Sequence, residues 1–328
     1  MSRRLTLRPA PFVRADATTP GIMRHVFYAA LPLVVAATWF FGPSAPLVIL
    51  AAIAGAVGTE WAISGRGAVR DWSGVLTGLL LGLTLPPGVP LWMAALGGAA
   101  GMGLGKLVFG GLGQNLFNPA LVGRAFLQAA FPITLTTWAP PTEGAWMRFG
   151  EATFAIPFMH VDVVSSATPL GLQKFDGELT GLTELYLGGT AGSLGETSAA
   201  LILVAGLYLF WKRAFQWRIP VAILGSVAGL SALLALVGET HPPVDFMLLS
   251  GGLLFGAVFM ATDPVTSPTT PRGAWVFGIG IGALVVLIRR FGGLPEGVMY
   301  AILLMNAASP LIEQYTQPRP FGHEKAPR

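Results

Sequence analysis

The chain has 328 residues, 53% hydrophobic and only 11% charged, with 43 Gly, no Cys and a net charge of +4. Soluble domains carry about 25% charged residues, so this composition cannot cover a water-facing surface and reads as a polytopic α-helical membrane protein. Without Cys there are no disulfides, thiolate-held iron–sulfur clusters or cysteine nucleophile; four scattered His argue against haem or zinc, and the dispersed basic charge argues against nucleic acid.

The first 24 residues hold five Arg and one Asp. A long apolar run follows with no small-x-small cleavage site, so a retained first helix is expected. Apolar runs then predict ten spans, at about 25–42, 45–63, 75–85, 90–109, 118–133, 197–211, 219–238, 244–260, 273–288 and 297–313. Several are short for a bilayer, which needs about 20 apolar residues. The third runs into Pro86-Pro87 and the eighth into Asp263-Pro264.

Two pieces of sequence recur in order. Gly-Leu-Leu-Leu-Gly (78–82) matches Gly-Leu-Leu-Phe-Gly (252–256), and Phe109-Gly110-Gly111-Leu112 matches Phe291-Gly292-Gly293-Leu294. A short insertion within 263–272 accounts for the unequal offsets. Five spans per half is an odd number, which places the halves in opposite orientations. Interrupted helices at matching points of inverted repeats are where such folds set midplane sites, because broken backbone at that depth must be buried in protein or line a cavity.

Placing the N-terminus inside gives fifteen Lys and Arg inside against four outside, which fixes the orientation. Arg289-Arg290 is the exception. The expected organisation is a cytoplasmic segment 1–24, a first membrane repeat 25–133, a periplasmic loop 134–196, a second repeat 197–313 and a cytoplasmic tail 314–328. The membrane is then a bacterial inner (plasma) membrane.

The long loop carries Asp162-Val-Val-Ser165-Ser166-Ala-Thr168-Pro169-Leu170, by itself an ordinary hydroxyl-rich turn. Together with Gln114-Asn-Leu-Phe-Asn-Pro-Ala-Leu121, Gly123-Arg-Ala-Phe126, Met260-Ala-Thr-Asp-Pro-Val-Thr-Ser-Pro268, Pro295-Glu-Gly-Val298 and Leu303-Leu-Met-Asn306, it resembles the NqrB/RnfD family of membrane subunits. One branch of that family serves the Rnf ion-translocating electron-transport complex. The other serves the sodium-pumping NADH:quinone oxidoreductase. The blocks lie in order across nearly the whole chain. The short segment before the first helix favours the Rnf branch.

The resemblance implies a urea-transporter-like scaffold and a flavin transferase that joins FMN to a Thr hydroxyl by a phosphoester. The pattern is an acid, two positions, then a small run ending in Ala-Thr. Asp162, Ser165, Ser166 and Thr168 fit it, with Thr168 as the attachment point. A tether raises local flavin concentration without a tight pocket. The resemblance also implies a non-covalent riboflavin in the bundle. Asn115 and Asn118 then have two readings, as amides pairing with the isoalloxazine or, at Asn118-Pro119, as a helix cap. Asp263 either caps the break with Thr262 or faces a flavin or cation path, with Thr266, Ser267, Thr269 and Thr270 beside it. Arg124 is expected to pair with a flavin phosphate, the alternative being snorkelling. Lys106 and Lys212 are expected to snorkel at helix ends.

The implied activity is electron relay between ferredoxin and NAD, coupled to cation movement. The implied partners are the other Rnf subunits (membrane and periplasmic flavin subunits and iron–sulfur subunits), the flavin transferase and membrane lipid. With no cysteine and no Gly-rich phosphate loop after a strand, both terminal substrates are expected on other subunits. A quinone reductase subunit and a small-solute channel or transporter are the competing readings.

Overall fold

A computed structural model describes residues 18–65, 67–141, 149–157, 159, 165–237 and 242–318. Among these residues all regular structure is helical, and the lone β-bridge joins Trp138 to Ser166. The first half holds α1 (Thr19–Phe41), α2 (Ser44–Ser64), α3 (Ser73–Thr84), α4 (Leu91–Met102), α5 (Pro119–Ala130) and the short α6 (Pro132–Thr136). The connecting segment carries two short pieces, α7 (Pro169–Gly171) and α8 (Leu182–Leu187). The second half holds α9 (Ala199–Trp211), α10 (Arg218–Val237), α11 (Val244–Leu249), α12 (Leu253–Phe255), α13 (Pro271–Phe291) and α14 (Val298–Thr316).

Four helices among the described residues are long and apolar enough to cross a membrane: α1, α2, α10 and α13. Large apolar side chains such as Trp39, Leu50, Leu207 and Val276 stand at least half exposed on α1, α2, α9 and α13, as lipid-facing surfaces would. Inside the bundle, small residues let backbones approach. A Cβ on Gly98 of α4 would meet Ala52 O of α2 at 2.1 Å, and one on Gly282 of α13 would meet Ile223 O of α10 at 2.7 Å.

Packing follows one order twice. α2 packs on α3 and α4, and α4 on α5; α10 packs on α11 and α13, and α13 on α14. The halves meet where α1 lies against α9 and α5 against α14, with His25 Nδ1 2.9 Å from Tyr208 Oη.

Both expected interruptions are present. α3 ends at Thr84, capped by the extended Leu85, ahead of Pro86-Pro87. The eighth expected span is broken earlier than its prolines suggest. α11 stops at Leu249, Gly251 takes φ +64, and α12 runs into a π-helical turn, Gly256–Met260, ahead of Asp263-Pro264. A matching π-helical turn, Gly103–Leu107, extends α4. α1 begins at Thr19, ahead of the apolar run that predicts it, because Thr18 accepts from Gly21 N and Pro20 pre-sets the first turn.

Candidate functional site

The connecting segment is pinned on both sides of Thr168. Ser166 N donates to Trp138 O at 2.8 Å. Leu170 is buried with Leu185 and Phe246, which ties the segment to α8 and α11. Between these anchors Ala167 is exposed and Thr168 is half-buried, and Ser165, just before them, is exposed. Thr168 Oγ1 accepts from Gly171 N at 3.1 Å and so caps α7. Asp162 lies outside the described residues.

Thr168 lines a cavity with Trp138, Leu185, Thr190, Glu196 and Glu296. A second cavity shares Trp138, Glu196 and Glu296, and continues inward past Thr84, Arg124, Gln128, Phe255 and Met260. Its charged group was not legible from spacing. Arg124, on α5, donates to Thr84 O at 2.6 Å, where α3 breaks. Its guanidinium lies 3.7 Å from Glu196 and 3.8 Å from Glu296. Glu296 in turn accepts from Gly252 N at 2.5 Å, at the start of α12. Arg124 thus has protein partners and does not snorkel. One guanidinium ties the break in α3 to the break before α12.

Gly252 is needed for this convergence, because a Cβ there would sit 2.4 Å from both Glu196 Oε1 and Glu296 Oε1. Gly252→Ala is expected to displace one carboxylate and to cost about 1–3 kcal/mol, as overpacking does. The thermal unfolding midpoint in detergent reads this out. Gly192→Ala, where nothing lies within 4 Å, is the control expected to match wild type.

A third cavity opens towards the other side of the bundle and gathers Ser73, Lys106, Asn115, Asn118, Phe259 and Asp263. Three residues singled out in the sequence, Asn115, Asn118 and Asp263, therefore do meet. Their roles separate. Asn118 Oδ1 accepts from Ala120 N and Leu121 N, and its Nδ2 donates to Met260 O at 3.0 Å. Asn306 joins in, accepting from Asn118 N and donating to Thr266 O. Asn118 is a cap that also locks α5 to the π-helical turn of the second half. Asn115 is different: its Nδ2 reaches Phe117 O, but its buried Oδ1 has no hydrogen-bond partner among the described residues. A buried, unpaired acceptor costs about 1–3 kcal/mol, so this atom suits a ligand donor.

Asp263 accepts from Val265 N and Thr266 Oγ1 and closes its own turn. Thr262 donates instead to Val258 O, Thr269 to Glu313, and Thr270 pairs with Thr316. Phe255 lines the second cavity and Phe259 the third; their rings stack with centroids 5.1 Å apart, between the two spaces.

Lys106 does not snorkel. It is buried, donates to Glu60 and Ser73, and lies 3.3 Å from Asp71. Glu60 is itself fully buried. Lys212 is exposed, with its ammonium 4.9 Å from the Trp211 ring centre. Lys174 donates to Arg289 O, Gly292 O and Leu294 O, tying the connecting segment to the end of α13; burial lowers its pKa from the usual lysine value.

The fold and these enclosed polar sites define an all-helical, multi-pass membrane protein with interrupted helices around internal cavities. A sequence model of the NQR2, RnfD, RnfE family matches residues 6–322, and the chain belongs to that family. Three similar proteins each bear the designation D among the subunits of an ion-translocating oxidoreductase complex. One, from the proton-translocating ferredoxin:NAD(+) oxidoreductase complex of Clostridium ljungdahlii, is 41% identical over 97% of this chain and 96% of that one. Another, from the ion-translocating oxidoreductase complex of Stutzerimonas stutzeri, is 44% identical over 92% and 91%. A third, from the Na(+)-translocating ferredoxin:NAD(+) oxidoreductase complex of Acetobacterium woodii, is 39% identical over 98% and 96%.

Proposed function

We propose that this chain is the membrane electron-relay subunit of an Rnf-type complex, carrying FMN on Thr168 and a riboflavin in the bundle, and working in cation-coupled electron transfer between ferredoxin and NAD. The observation that carries the reading is near-full-length similarity to subunits of complexes named for that reaction. When bound, the flavins would supply the redox chemistry, and the protein sets their position and surroundings.

The residues present fit both groups. A phosphoester at Thr168 needs only Oγ1 on an accessible segment, and exposed Ser165 and Ala167 leave that approach open. Asn115 Oδ1, lacking a donor, suits the imide N–H of an isoalloxazine, with Lys106 lining the same cavity. Arg124 is already engaged by carboxylates, which favours a positioning role over contact with a flavin phosphate. The helix order repeated in packing supports two inverted five-helix repeats. With the charge count, it supports an inner-membrane protein with cytoplasmic termini and a periplasmic Thr168 segment. Other Rnf subunits and a flavin transferase are the partners this reading requires.

Non-covalent flavin released by mild denaturation tests the inner site. Asn115→Leu is expected to lower riboflavin content at least tenfold, about the worth of one hydrogen bond to a buried acceptor, while Thr168-linked FMN stays at wild-type level. Wild-type riboflavin in Asn115→Leu would remove this residue from the site.

A further inference from the structure

Arg289 and Arg290 are the cations that the charge count leaves unexplained. They end α13, an apolar helix of membrane length, at the end next to the Thr168 segment. There they line a cavity of about 170 Å³ with Gln173, Lys174, Met247 and Pro295. Among the described residues three cations line it and no carboxylate does. Among the described residues none of the three has a carboxylate within 4.0 Å. The acids that feel the charge of Arg289, Glu296 and Glu196, are held by Arg124.

The donors are unevenly used. Lys174 donates to three carbonyls, so it contributes charge to the cavity and little further hydrogen bonding. Arg289 donates through Nη1 to Met247 O at 2.6 Å and through Nη2 to Ser250 O at 2.9 Å. Its Nε–H, on a side chain only 6% exposed, has no acceptor among the described residues. Arg290 is exposed.

We propose that this cavity binds a phosphate-bearing anion through Arg289 Nε and the Arg290 guanidinium. Guanidinium donors match phosphate oxygens in geometry and charge. The surroundings point to the headgroup of an acidic phospholipid as the source. Leu287 and Phe291, on the same last turns, are 51% and 74% exposed, which offers apolar surface to an acyl chain beneath a basic headgroup pocket. A bound anion also eases the anomaly in the charge count, because one phosphodiester charge offsets one of the two arginines that oppose the orientation set elsewhere.

The test uses purified full-length protein in detergent, wild type against Arg290→Gln, an exposed position whose change leaves the packing alone. Each is titrated with phosphatidylglycerol, phosphatidylcholine or inorganic phosphate, and read by thermal midpoint and by native mass spectrometry of bound lipid. Phosphatidylglycerol is expected to bind wild type roughly tenfold more tightly than Arg290→Gln, the loss of one charge-assisted contact. Phosphatidylcholine is expected to show no such difference. If inorganic phosphate separates the two proteins and phosphatidylglycerol does not, the site stands and its source is soluble. If neither separates them, the proposal is overturned.

Discussion

Thr168→Asn protein made in a host with a flavin transferase is expected to show no flavin fluorescence on a denaturing gel, while unfolding at the wild-type temperature. The two outcomes separate because Thr168 Oγ1 has two roles. In the proposed function it is the phosphoester oxygen. In the fold it accepts from Gly171 N and caps α7. A cap of this kind is worth about 0.5–2 kcal/mol, and Asn serves as well as Thr. Asn therefore keeps the cap and lacks the hydroxyl. Thr168→Ala is expected to lose the flavin as well as the cap, and to unfold at lower temperature. The ester oxygen of a tethered flavin would keep a lone pair, so the proposed tether is compatible with the cap. Ser165→Ala and Ser166→Ala are expected to keep full fluorescence: Ser165 is exposed, and Ser166 is held to Trp138 by its backbone N–H. Fluorescence surviving in Thr168→Asn would place the tether elsewhere.

What the sequence made legible follows hydropathy and backbone chemistry. Apolar runs gave the positions of the helices, and Pro86-Pro87 and Asp263-Pro264 marked the interruptions, because both signals act over a few neighbouring residues. The break at Gly251 was not legible: a glycine in an apolar run looks like any small packing residue until its φ of +64 is seen. Buried charge was missed for a different reason. Lys106 at a helix end reads as snorkelling, and only the packing of α2 against the turn after α4 brings Glu60, 46 residues away, onto it. The available signal was the rarity of charge itself. In a chain with 16 acids, an acid within an apolar span, as Glu60 is, needs a cation nearby. Asn115 and Asn118 looked alike in sequence, and only the orphaned Oδ1 of one and the filled bonds of the other distinguish them.

Arg124 is the group whose loss should disturb the scaffold most, because its partners come from segments distant in sequence. Thr84 O closes α3, Glu196 precedes α9, and Glu296 lies between α13 and α14 while also holding Gly252 N. Arg124→Met keeps the side-chain volume roughly constant and removes the charge. Two carboxylates are then left converging on Gly252 without the cation between them. Removing one partner of a buried ion pair costs about 3–5 kcal/mol, so a large drop in thermal midpoint and poor accumulation in the membrane are expected. Arg124→Lys is expected to fall in between, since an ammonium cannot span Thr84 O and both acids as a planar fork does. The decisive comparison is Arg124→Met combined with Glu196→Gln. If repulsion between the orphaned carboxylates causes the loss, the double variant recovers much of it, while Glu196→Gln alone has the smaller effect. If Arg124→Met unfolds at the wild-type temperature, the guanidinium does not bridge the two broken helices, and the halves are held by other contacts, among them α1–α9, α5–α14 and the bond from Asn118 to Met260 O.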